Sequence, residues 1–98
     1  MDVAMLLAEG PTISLEDFAA LKPEVAWSHP QDENYVVLRL GDAFLAAIFQ
    51  TNVADGGEPI GKTLFESEQF DTLGLAQAFA ADRFTDTLKA GTSNIDTL

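Results

Sequence analysis

A chain of 98 residues makes one domain, and 47% hydrophobic residues, seven Phe among them, give it material for a single compact core. Sixteen Asp and Glu against five Lys and Arg set a formal net charge of -11, which repels phosphate backbones and anionic membranes and excludes direct nucleic-acid binding. The absence of Cys rules out disulfides, thiolate metal sites and Cys nucleophiles. With no basic leader and no apolar run of spanning length, the chain is expected to be soluble and cytoplasmic.

In chain order, Asp2 can cap a short helix over about 3–9, with Gly10 and Pro11 as its stop. A second helix is expected over 15–21. Ser14 precedes Asp17 by three residues, as in a capping box, Ile13 and Phe18 fit the hydrophobic staple, and Pro23 disfavours helical geometry at Lys22. The two would form a helical hairpin. EVAWS (24–28) allows a short strand, and HPQDEN (29–34) reads as a turn. NYVVLRL (34–40) is rich in β-branched and aromatic residues, and Gly41-Asp42 suits a two-residue hairpin turn. AFLAAIFQT (43–51) is the return strand. Its apolar residues fall on both faces, as in a central strand covered on two sides, although the same residues suit a buried helix capped by Asp42. After a turn-rich loop, KTLFESEQF (62–70) reads as a third strand.

Asp71 is the expected cap of the last helix, which Gly91 should end, leaving 92–98 as a frayed tail. At 100° per residue, Leu73, Ala76, Ala80, Phe84 and Leu88 form one apolar stripe, flanked by Leu75 and Phe79. Asp82, Thr85, Asp86 and Lys89 lie opposite. The expected fold is α+β: an N-terminal helical hairpin, an antiparallel sheet of about three strands, and a C-terminal amphipathic helix packed on it.

Residues 56–63 match the nucleotide-loop spacing G-x-x-x-x-G-K-[ST], through Gly56, Gly61, Lys62 and Thr63. Such a loop wraps backbone N–H groups round phosphates. Here Glu58 puts an anion where those charges would sit. Asn52 to Asp55 separate the first glycine from the strand, and only 35 residues follow Thr63, too few for a parallel nucleotide-binding sheet. The stretch is therefore expected to be a glycine-rich connection between strands.

His29 is the only His, which excludes a multi-His metal site, and its place beside Pro30 suggests a surface turn. Serines 14, 28, 67 and 93 stand in no nucleophile motif. No cofactor is implied, and no catalytic constellation. What remains is the acidity. Averaged over the expected surface it amounts to one net charge per roughly 500 Å², against one per about 110 Å² on duplex DNA, so mimicry of DNA requires the acids to gather on one face. The candidate partner-binding groups are Asp32-Glu33, Glu66-Glu68 and Asp82-Asp86. The expected role is that of a non-enzymatic module docking on a basic protein or ribonucleoprotein complex. In size and charge it is similar to phage-encoded inhibitors of the anti-CRISPR and anti-restriction kind, a likeness of class without a shared motif. A homodimer or larger assembly through Phe-rich segments is the alternative.

Overall fold

The computed structural model describes residues 12–96, with side chains as far as Lys89. Strand β1 is Thr12–Ser14, followed by helix α1, Leu15–Ala20, and a single 3-10 turn over Lys22–Glu24. Strands β2 (Val25–His29), β3 (Asp32–Leu40), β4 (Ala43–Val53) and β5 (Pro59–Phe70) then form a meander, and helix α2 spans Leu73–Asp96. All five strands make one antiparallel sheet in the order β1-β5-β4-β3-β2.

This corrects the expected architecture. The sheet has five strands in place of about three, and α1 is preceded by a strand instead of a helical partner. The helix expected over 3–9 lies outside the described residues. β1 escapes sequence reading for a physical reason. Three residues carry no measurable period, and the segment is a strand because it pairs with β5, Thr12 opposite Thr63 and Ser14 opposite Gly61. β2 pairs with β3 through two register shifts, between Val25 and Trp27 and between Ser28 and His29, which blur its alternation.

The local signals for α1 are met. The Ser14 hydroxyl accepts from the Asp17 N–H at 3.0 Å, a cap worth about 1 kcal/mol. Ile13 and Phe18 join one apolar cluster, and the α-helix stops at Ala20, short of Pro23; Lys22 nevertheless stays helical, in the 3-10 turn that Pro23 shares. Gly41 turns the β3–β4 hairpin at φ +60°, a conformation that costs other residues dearly. For α2 the capping hydroxyl is Thr72, accepting from the Leu75 N–H at 3.3 Å, where Asp71 was the expected cap. The helix also continues past Gly91 to Asp96, since a lone glycine costs a helix only about 1 kcal/mol.

The sheet is covered on both faces. On one side Ile13, Leu21, Val36, Leu38, Leu45, Ala47 and Phe49 pack with Phe18 of α1. On the other, Val37, Ala46, Phe44 and Phe70 meet Leu73, Ala76 and Phe79 of α2. β4 is thus the central strand buried on two faces, and each fully buried aliphatic such as Leu38 contributes about 1.5–3 kcal/mol. The α2 stripe holds at Leu73, Ala76, Ala80 and Phe84 but not at its end: Leu88 is exposed, as is flanking Leu75.

β5 changes sides partway along. Phe49 pairs with Leu64 and Ile48 with Glu66, so Phe65 is an extra residue bulged out of the ladder. Before the bulge, Leu64 packs on the α1 side; after it, Glu66 and Phe70 face α2.

Candidate functional site

Lys62, in the stretch with nucleotide-loop spacing, is only 3% exposed. Its Nζ donates to Asn34 Oδ1 at 2.7 Å, Thr51 Oγ1 at 2.8 Å and Glu33 Oε1 at 3.3 Å, and lies 4.8 Å from the centre of the Phe18 ring. An ammonium has three protons, and three acceptors take them. The residues upstream close on themselves: Ala54 N–H donates to the Glu58 carbonyl and Gly57 N–H to the Ala54 carbonyl, both at 2.8 Å. Gly61 lies against β1 so closely that a Cβ there would sit 2.7 Å from the Ile13 carbonyl oxygen. The glycine answers a strand contact, and the lysine is spent on its own fold. This stretch is a β-hairpin connection running into β5.

The proposed docking acids divide into separate groups. Arg83 of α2 donates through Nε to both Glu66 oxygens, at 3.0 and 3.1 Å, and its Nη1 stands 3.9 Å from Asp86. The same guanidinium covers the Phe79 ring at 4.7 Å, and Phe79 packs on Phe70. Glu66 and Asp86 therefore converge, but on a shared cation. Glu68 and Asp82 are exposed and enter no ion pair among the described residues. Glu33 belongs to the Lys62 group on the opposite face, and the Asp32 carboxylate accepts from the Asn34 N–H at 2.9 Å at the start of β3. The six acids do not form one face, as DNA mimicry would require.

Sequence reading passed over the groups that organise these acids. Lys62 was hidden by its motif, and Arg83 by the acids on either side. His29, expected in a surface turn, is half-buried. Its ring stacks on Phe84 at 4.0 Å and meets Trp27 and Tyr35 edge-on, while Nδ1 accepts from the Gln31 N–H at 3.0 Å. The Tyr35 hydroxyl donates to Thr87 of α2 at 3.2 Å, which in turn donates to the Arg83 carbonyl.

Two clefts flank the sheet. One of about 450 Å³ is lined by Phe18, Leu21, Val25, Val36 and Leu38, with Glu33 among its polar groups. The other, about 410 Å³, lies between β4, β5 and α2, lined by Tyr35, Ile48, Phe65, Glu66, Arg83 and Thr87. Each carboxylate lining them is already engaged, Glu33 by Lys62 and Glu66 and Asp86 by Arg83, which leaves neither a free acid–base pair. Compared with known proteins, the chain matches no family model, no curated protein and no solved structure.

Proposed function

We propose that this protein is a non-enzymatic binding module whose acidic surface docks on a basic protein or ribonucleoprotein complex. The observation that carries the reading is the disposition of charge. Three of the five cations are turned inward or paired: buried Lys62 on its three acceptors, Arg83 on Glu66 and Asp86, and Arg39 on the Val25 carbonyl at 3.3 Å. Asp42, Glu68, Asp71 and Asp82 stay exposed on strands, turns and the helix. An acidic field carried by rigid elements accelerates encounter with a cationic partner and loses little entropy on docking.

The test is affinity capture from an extract of the native cells. A retained protein should elute as salt rises from about 0.05 to 0.5 M, and Glu68→Lys with Asp82→Lys should weaken its retention several-fold. Retention indifferent to salt and to both reversals refutes the reading. Saturable binding of Mg²⁺-ATP or Mg²⁺-GTP, lost in Lys62→Ala, would replace it with a nucleotide-binding role. A second reading, self-assembly, has one observation in its favour: Val53, Ile60 and Phe65 are exposed large apolar residues on β4 and β5. Light scattering of the purified chain decides that, since a concentration-independent monomer excludes it.

A further inference from the structure

β5 pairs with β4 along its length, but on its other side β1 covers only Gly61 to Thr63. Among the described residues, no strand pairs with the outer edge from Leu64 to Phe70. Beyond the bulge, Glu66 to Phe70 run in unbroken register against Ile48 to Phe44. Five regular residues are a common strand length. The sheet's other edge, β2, is interrupted by its two register shifts and stops at Pro30, features that blunt an edge.

We propose that the outer edge of β5 over Glu66–Phe70 receives an extended, lysine- or arginine-bearing segment of a protein partner as an added strand. The proposal rests on the reading of a basic partner and names where it binds. A second copy of this chain does not suit the edge. A twofold antiparallel pairing of the whole run centres on Glu68 and sets it against its own copy, and centring on Ser67 sets Glu66 against Glu68. Like charges directly opposite each other destabilise such a pair. A cation across from Glu68 reverses the sign. Arg83 neutralises Glu66 from the helix side, so Glu68 is the free anion of the run. Ser67 between the acids and Gln69 after them are uncharged, and main-chain hydrogen bonds supply the affinity in this mode of recognition.

The test uses the full chain, labelled with ¹⁵N, and a short peptide alternating lysine with valine. A control peptide carries a central proline, which cannot donate to the ladder. At saturation the outward-facing amides of 66–70 should exchange at least about tenfold more slowly. The proline peptide should bind about tenfold more weakly, and Glu68→Gln should weaken the alternating peptide several-fold. Equal binding of the two peptides, protection confined to α2, or no binding at low salt each overturns edge docking. The basic-partner reading stands or falls separately, on the salt-dependent capture and its Asp82→Lys arm.

Discussion

Replacing Lys62 by methionine isolates what its buried ammonium does. Methionine keeps an unbranched stem near Phe18 and removes the charge with its three hydrogen bonds. Two of those bonds, to Asn34 and Thr51, are short and partly buried. Hydrogen bonds from a charged donor contribute about 1.5–3 kcal/mol each, but the ammonium also loses hydration on burial, which cancels part of the gain. The third partner, Glu33, has a side chain 74% exposed, so it rehydrates freely and its ion pair is worth under about 1 kcal/mol. The expected net loss for Lys62→Met is therefore about 2–3 kcal/mol, or roughly 10–20 °C in Tm for a domain of this size. Lys62→Ala should lose a further 1 kcal/mol or so, because the stem packing goes too. Glu33→Gln should cost less than about 0.5 kcal/mol. Urea unfolding followed by circular dichroism, with the slope against denaturant unchanged, measures all three. If Lys62→Met is as stable as the parent, or Glu33→Gln costs as much as Lys62→Met, the amine is not a structural anchor.

Three further outcomes are expected. Gly61→Ala forces a Cβ to 2.7 Å from the Ile13 carbonyl, so β1 must shift; a loss of about 1–3 kcal/mol and faster amide exchange across 12–14 should appear together in hydrogen-exchange NMR. Gly41→Ala meets no atom within 4 Å, so its cost is purely that of the left-handed backbone, about 1 kcal/mol by thermal unfolding, and a neutral result contradicts the positive φ of the hairpin. Phe84→Ala removes the ring on which His29 stacks and against which Tyr35 packs edge-on; a loss of about 2–3 kcal/mol is expected, and intrinsic Trp fluorescence should shift because His29 also contacts Trp27.

Where the sequence was readable, one short-range rule decided each feature: the Ser14 cap, the Gly41-Asp42 turn, the spacing of Leu73, Ala76, Ala80 and Phe84. The features that escaped depend on partners far along the chain. β1 is a strand only because β5 lies beside it. Leu88, at the end of the stripe, reads as core by periodicity yet is exposed, and Leu75, about 200° round the helix from Leu73, falls on the side of Asp82 and Asp86 and is exposed too. Strict alternation over 62–70 places Lys62, Leu64, Glu66, Glu68 and Phe70 on one face, whereas they occupy two, because nothing in KTLFESEQF marks the bulge. The acids at 66 and 68 could be named as candidates, but their separation from Glu33 and the pairing of Glu66 with Arg83 required the fold.

The bulge at Phe65 has a bearing on how this chain tolerates changes in length. Leu64 and Glu66 lie on opposite sides of the sheet, as consecutive residues of an ordinary strand would. Excising Phe65 therefore leaves the two halves of β5 in phase: Leu64 still opposes Phe49, Glu66 still opposes Ile48, and both cores keep their side chains. In most half-buried strands a one-residue deletion inverts everything downstream of it. Here it removes only a kink and an aromatic ring that is 64% exposed. The shortened chain should fold, and whatever it then fails to do is what the inserted residue is for.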